Sequence, residues 1–216
     1  MSELRRTYVP AAGHDWALPL YDPLVKLMGG DAARRALAEQ AATRPGDRVL
    51  EIGSGTGTLT LLLKHLHPEA EVIGLDPDAK ALARAKRKAE RAGVSIQFDQ
   101  GFSDHLPYPD ASFDQVFSSL MFHHLPAEEK EKTAREVRRV LRPGGCFHML
   151  DFGGPEPGRD GWLARLLHAK PQLRENSEGS ILGLLKQAGF PGPQKTGERA
   201  LLLWRIVYYR ASAPGP

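Results

Sequence analysis

The stretch Val49-Leu50-Glu51-Ile52-Gly53-Ser54-Gly55-Thr56-Gly57 constrains the fold more than any other part of the chain. An apolar run with strand character leads into a loop with glycine at every second position, and Thr58–Leu66 follows with the composition of a helix. A strand, a glycine turn and a helix in that order open a parallel strand–helix–strand unit. Glycine lets the backbone turn tightly and approach a ligand closely. The helix that follows presents N–H groups with no intrahelical acceptor, which suits a polar or anionic ligand.

A second apolar run, Val72–Leu75, ends at Asp76. A carboxylate ~20 residues beyond such a loop, at the end of the second strand, can accept hydrogen bonds from both hydroxyls of a ribose. Loop and acid together read as a site for an adenosine-type cofactor. The spacing then discriminates among cofactors. The dinucleotide fingerprint G-x-G-x-x-G requires glycine at position 58, where this chain has Thr58, with the glycine at Gly57 instead. No lysine follows the loop in the manner of a triphosphate-binding turn. A nicotinamide oxidoreductase is therefore disfavoured, and a non-catalytic cofactor-binding protein stays open as a second alternative.

The alternation continues along the chain. Asp31 is expected to cap a helix whose apolar face is Ala33, Leu37 and Ala41. A helix is predicted over Asp78–Ala92, stopped by Gly93, and strands over Ser95–Phe98 and Phe113–Ser118. A helix starting at Pro126 runs to Leu141 and gives way at Pro143-Gly144-Gly145 to a strand over Cys146–Leu150. Trp162–His168 and Ile181–Ala188 read as helices, and Leu201–Tyr209 as a late strand that pairs with Gln194–Arg199 in a terminal hairpin. The fold class that follows is α/β: a doubly wound, Rossmann-like sheet, mostly parallel and covered by helices on both faces, in a single domain. Residues 1–30 and 153–178 break the alternation, carry Trp16, Tyr21 and Trp162, and are expected to act as an N-terminal arm and a second lid segment.

Composition narrows the function. The 216 residues are 41% hydrophobic and carry a net charge of +3, which fits a globular chain with a full core and is a weak electrostatic footprint for a nucleic-acid partner. The basic helix over 78–92 has no interleaved aromatic residues, so a solvated face is the better reading of its charge. No apolar run reaches the ~18 residues that span a bilayer, and Met1–Pro10 lacks the apolar stretch of a signal peptide. The expected location is the cytoplasm, without stable membrane insertion, and a single cysteine, Cys146, fits a reducing compartment.

The ordered series of motifs resembles the class I S-adenosylmethionine-dependent methyltransferases. Val49–Gly57 looks like their first motif and Val72-Ile73-Gly74-Leu75-Asp76-Pro77-Asp78 like their second. Leu106-Pro107-Tyr108-Pro109-Asp110-Ala111-Ser112-Phe113-Asp114 is similar to the approach to their fourth strand, and Leu141-Arg142-Pro143-Gly144-Gly145 to the turn before their fifth. The likeness covers roughly residues 46–152 and is strongest to the small-molecule branch that includes ubiquinone/menaquinone-biosynthesis methyltransferases. It implies a seven-stranded sheet with an antiparallel terminal strand and S-adenosylmethionine as cofactor. The cofactor residues it implies are Tyr21, Glu51, Gly53, Ser54, Gly55, Gly57, Asp76, Pro77, Phe102, Ser103 and Ser119. One departure concerns adenine. Where the family often has Gly-Asp-Ala, this chain has Gly101-Phe102-Ser103, so Phe102 would stack on the ring and Ser103 or Asp104 would meet its amino group.

The acceptor is read as a small molecule. The Asn/Asp-Pro-Pro-aromatic run typical of nucleic-acid amine methylation is absent after the fourth strand, where the chain reads Ser118-Ser119-Leu120-Met121-Phe122-His123-His124. The adjacent histidines, in an extended segment, would point to opposite sides, so one of them reaches the site. His123, and His14 from the arm, are the candidate general bases, since a histidine pKa near ~6.5 suits proton transfer.

Overall fold

The computed structural model describes residues 29–154, 177–201 and 204–215. Five strands and their intervening helices follow in the expected order: α1 (Gly30–Gln40), β1 (Arg48–Ile52), α2 (Thr58–Leu66), β2 (Glu71–Asp76), α3 (Ala79–Ala92), β3 (Gln97–Gln100), β4 (Phe113–Ser119), α4 (Ala127–Val140) and β5 (Leu141–Phe152). Then come α5 (Glu178–Gln187), β6 (Gln194–Leu201) and β7 (Trp204–Ser212). The strands form one seven-stranded sheet in the order β3-β2-β1-β4-β5-β7-β6. β1 to β5 pair in parallel, whereas β7 is antiparallel to both β5 and β6.

Alternation of side chains along each strand builds a large core on each face, and a smaller cluster of Leu82, Ala85, Ala89 and Phe98 lies under α3. Leu50 and Ile52 of β1 join Ile73, Val116, Phe147 and Met149 against Val137 of α4 and Leu185 of α5. Val49 joins Val72, Phe117, Leu150 and Tyr208 against Leu37 of α1 and Leu59 and Leu63 of α2. Glu51 shares the face of Val49, so it points toward α1 and α2. Strands buried on both faces have near-continuous apolar sequences, which is why they were legible.

Several boundaries differ from expectation. Asp31 does not cap α1; the cap position is Gly29, with φ 89°, and Asp31 lies in the first turn. β3 is displaced to Gln97–Gln100 because backbone pairing with β2 continues through the polar Asp99 and Gln100. β5 is longer than Cys146–Leu150. It begins at Leu141, and the Pro143-Gly144-Gly145 irregularity is held by Gly144 N–H donating to Pro214 O and by Ala213 N–H donating to Gly145 O. α5 starts earlier than Ile181, capped by the Ser177 hydroxyl on Ser180 N–H. The predicted helix over Trp162–His168 lies outside the described residues.

Candidate functional site

The strand order reverses between β1 and β4. The loops after these two strands leave toward opposite faces and open a crevice at the carboxyl ends of the sheet. A cavity of about 330 Å3 lies there, within the size range of small-molecule sites. Of the residues implied by the sequence, Glu51, Gly53, Ser54, Gly55, Asp76, Pro77, Phe102, Ser103 and Ser119 line it. His14 and Tyr21 lie outside the described residues, as do most of the two lid segments.

Gly57 does not line the cavity. Its φ is 75°, and a Cβ there would lie 2.8 Å from the Ala85 Cβ and 3.2 Å from the Phe98 ring. This glycine lets the start of α2 close against α3 and β3. Gly55 is the opposite case. With φ 52° and nothing within 4 Å of an added Cβ, its backbone faces open space in the loop.

Asp76 joins the loop to the end of β2. Its Oδ2 accepts from Gly55 N–H at 2.7 Å and its Oδ1 from Asp78 N–H at 2.9 Å. Burial pushes its carboxyl up to about 6, against the lowering effect of those N–H donors. Asp78 caps α3 through Oδ1, while its Oδ2 has no hydrogen-bond partner among the described residues; the same holds for Ser54 Oγ. Both side chains are over nine-tenths buried and belong to the cavity wall, so two polar atoms there are left for a ligand.

Glu51 is 2% exposed, and burial pushes its carboxyl up to about 8 despite a hydrogen bond from Thr60 and the nearby charge of Arg34. Arg34 itself lines the cavity from α1, and its Nε donates to Ser119 Oγ at 3.3 Å. Sequence reading missed Arg34; its one signal was a cation beside the apolar positions Ala33 and Leu37. It also passed over Asp78 as a cavity residue, although a helix cap one residue past Pro77 must sit at the strand ends.

The histidine pair is arranged differently from the expectation. Residues Phe122–His124 form a 3-10 turn rather than an extended segment, entered through Leu120 at φ 56°. The two rings face each other with centroids 3.9 Å apart. His124 lines the cavity beside Leu120, Met121, Leu125 and Pro126. His123 does not. Its ring Nδ1 is 2.7 Å from Asp151 Oδ1 and its backbone N–H donates to Asp151 Oδ2. Asp151 is 1% exposed, so the pair anchors the turn to β5. Of the two histidines, His123 packs against β5 through Asp151 and His124 lines the cavity.

A seven-stranded sheet of this order, with a glycine loop, a second-strand acid and a cavity at the reversal point, defines a Rossmann-like nucleoside-cofactor enzyme. Residues 49–145 match the family model described as methyltransferase domain. The chain is 38% identical over 202 residues to the demethylmenaquinone methyltransferase of Deinococcus radiodurans, covering 89% of this chain and 83% of the relative. It is also 38% identical over 151 residues to the enzyme of the same name from Thermus thermophilus, covering 68% of each. Among solved structures, the YcgJ protein of Bacillus subtilis shares the fold, with a TM-score of 0.73 at 21% identity over 86% of this chain and all of that one. The chain belongs to the S-adenosylmethionine-dependent methyltransferases of class I. It is an enzyme of that kind, and neither the oxidoreductase nor the non-catalytic alternative finds support.

The cavity fits the cofactor: open space at Gly55, the Asp76 carboxylate and two unpartnered buried polar atoms suit a polar nucleoside with an amino-acid end.

Proposed function

We propose that the chain methylates a ring carbon of a hydroxylated aromatic of the demethylmenaquinol type. The observation that carries this reading is the likeness to the Deinococcus demethylmenaquinone methyltransferase along most of both chains. The cavity wall that follows β4 supports it. Leu120, Met121, Leu125 and Pro126 offer apolar surface to a flat ring, and His124 places an imidazole among them.

Bound S-adenosylmethionine supplies an activated sulfonium methyl. Asp76 would hold the ribose hydroxyls, Pro77 and Phe102 would flank the adenine, Ser103 would meet its polar edge, and Glu51 and Ser54 would serve the amino-acid end. On the acceptor, an imidazole nitrogen of His124 takes the proton of a ring hydroxyl, which raises electron density at the neighbouring carbon. That carbon would take the methyl group as the sulfur–methyl bond breaks, with the electron pair kept by sulfur. The ring carbon then loses its own hydrogen as a proton to water, aromaticity returns, and His124 hands the hydroxyl proton back to the ring oxygen, so that one proton is released overall. Positioning and exclusion of water provide much of the rate, because the methyl group is already activated. His123, fixed by Asp151, keeps the His124 turn in place.

The same reading takes no nucleic acid as partner and places the enzyme in the cytoplasm, in keeping with the buried free thiol of Cys146. No helix among the described residues is long and apolar enough to cross a membrane. The test is incubation with S-adenosylmethionine and a short-chain demethylmenaquinol kept reduced, with products read by mass spectrometry. A carbon-methylated ring with equimolar S-adenosylhomocysteine is expected. Methyl transfer to RNA, or to other small molecules but not to this ring, would overturn the acceptor assignment.

A further inference from the structure

Two helices of this chain are rich in charge and treat it in opposite ways. α4 pairs its cations about one turn apart: Lys132 with Glu128, Arg135 with Glu131 and Arg139 with Glu136, the arrangement of a helix face that is solvated and nothing more. α3 carries Lys80, Arg84, Lys86, Arg87, Lys88 and Arg91 against a single acid, Glu90. Lys88 donates to the Thr56 and Thr58 hydroxyls at the start of α2. Arg84, Lys86, Arg87 and Arg91 have no ion-pair partner among the described residues.

The spacing gathers these charges into a stripe. Lys80, Arg84, Arg87 and Arg91 recur at intervals of four, three and four residues, which sets them on one side of the helix over about 16 Å. The buried side is Ala81, Leu82, Ala85 and Ala89, so the stripe faces away from the sheet. Lys80, Lys86, Arg87 and Arg91 are exposed and Arg84 is half-buried. Like charges at such spacing disfavour a helix on its own, and an anionic surface relieves them. The stripe also has a fixed place relative to the site. α3 begins at the carboxyl ends of the strands, where Pro77 and the cap Asp78 line the cavity, so Lys80 stands two residues from the cavity wall and the other three lead away from it. A surface lying against α3 therefore passes beside the cavity.

Chemistry selects the partner. α3 has no aromatic side chain to stack on a nucleic-acid base, and its exposed residues include no large apolar group to enter a protein groove or to insert among lipid chains. Contact between point charges and an extended negative surface is what remains, and an anionic bilayer presents such a surface. The acceptor class points the same way, because a quinol of the menaquinol type carries an isoprenoid chain and dissolves in the bilayer. We propose that the outer face of α3 docks the chain electrostatically on an anionic bilayer, without insertion, and so holds the cavity beside the membrane that contains its acceptor. The choice of a membrane as occupant rests on the quinol reading, whereas the docking is measured without it.

The experiment is co-sedimentation of the full chain with vesicles of phosphatidylcholine alone and of phosphatidylcholine with about one third phosphatidylglycerol, at low and at high salt. Binding is expected to the anionic vesicles only, and to be lost at high salt, where the charges are screened. Arg84→Gln, Arg87→Gln and Arg91→Gln together should lower vesicle affinity at least about thirtyfold, since each basic residue near an anionic surface strengthens binding about fivefold. Removing three cations elsewhere, with Arg35→Gln, Lys132→Gln and Arg135→Gln together, should lower it by less than about fivefold. The α3 variant is expected to melt with the wild type and to methylate a short-chain, water-soluble quinol at the wild-type rate, while its rate on a long-chain quinol in anionic vesicles falls with its vesicle affinity. Absence of binding to anionic vesicles, equal binding to neutral ones, equal losses in the two triple variants, or a DNA duplex bound through α3 more tightly than the vesicles would each overturn the proposal. If the α3 triple variant does not fold, Arg87→Gln alone and the lipid and salt preference of the wild type decide. Binding to anionic vesicles through α3 in a chain that leaves both quinols unmethylated upholds the docking surface and defeats the acceptor reading.

Discussion

Glu51 stores a testable conflict between stability and binding. It lies on β1, buried against α1 and α2, and its carboxyl is pushed from an ordinary 4.5 up to about 8. The native protein therefore holds this proton where the unfolded chain has released it. The stability that follows is fully present below pH 4.5 and is lost as pH rises through about 8. At pH 7 the native state has forgone about 1.36 kcal/mol for each of roughly two and a half pH units, or about 3 kcal/mol. Glu51→Gln keeps an oxygen to accept from Thr60 and removes the titration. Urea unfolding of both proteins from pH 4.5 to 8.5 isolates the group, because every other titration is shared. The two are expected to match within about 1 kcal/mol at pH 4.5, with the glutamine variant more stable by about 3 kcal/mol at pH 7. The same variant is expected to bind S-adenosylmethionine more weakly, the usual exchange of stability for function at a ligand site. A gap between the proteins that does not change from pH 4.5 to pH 8.5 would refute the reasoning.

Outcomes for four further variants follow from the geometry. Asp76→Asn should weaken S-adenosylmethionine binding by about 1.5–3 kcal/mol, the range for charge-assisted hydrogen bonds. Wild-type affinity should fall as pH drops below about 6, where Asp76 takes up its proton, and calorimetry at pH 5 and 7.5 should show the variant without that dependence. His123→Ala should cost about 1–3 kcal/mol of stability in urea unfolding, because the buried Asp151 carboxylate loses its ring partner. His124→Ala should instead lower kcat for methyl transfer while cofactor affinity holds. Gly57→Ala should destabilise the fold by about 1–3 kcal/mol, since its φ of 75° is strained for alanine and its Cβ would crowd Ala85; a melting temperature equal to wild type would contradict the packing role.

The parts of the fold that were legible are those where local chemistry and tertiary packing agree. Thr58–Leu66 was read at both ends because a left-handed glycine precedes it and the apolar run stops at His67. α3 was bounded by an aspartate cap and a left-handed Gly93. β3 was misplaced because an edge strand is defined by backbone pairing to β2, and Asp99 and Gln100 carry no apolar mark of it. The turn at His123 and His124 was hidden by Leu120, a non-glycine residue at positive φ that no local pattern announces. Within the site, the glycine loop, Glu51 and Asp76 announce themselves through spacing along the chain. Arg34 does not, because its link to Ser119 spans 85 residues and exists only once α1 packs on the sheet.

The most direct test of the account is titration of the wild-type chain with S-adenosylmethionine and, separately, with NAD. Thr58 in place of the third dinucleotide glycine, the open space at Gly55 and the paired N–H contacts of Asp76 predict one S-adenosylmethionine per chain and no measurable heat with NAD. Gly55→Val, whose side chain would fill that space, should abolish the S-adenosylmethionine signal in a protein that still melts cooperatively. Binding of NAD, absence of S-adenosylmethionine binding in the wild type, or undiminished affinity in Gly55→Val would contradict the placement of the cofactor against the glycine loop.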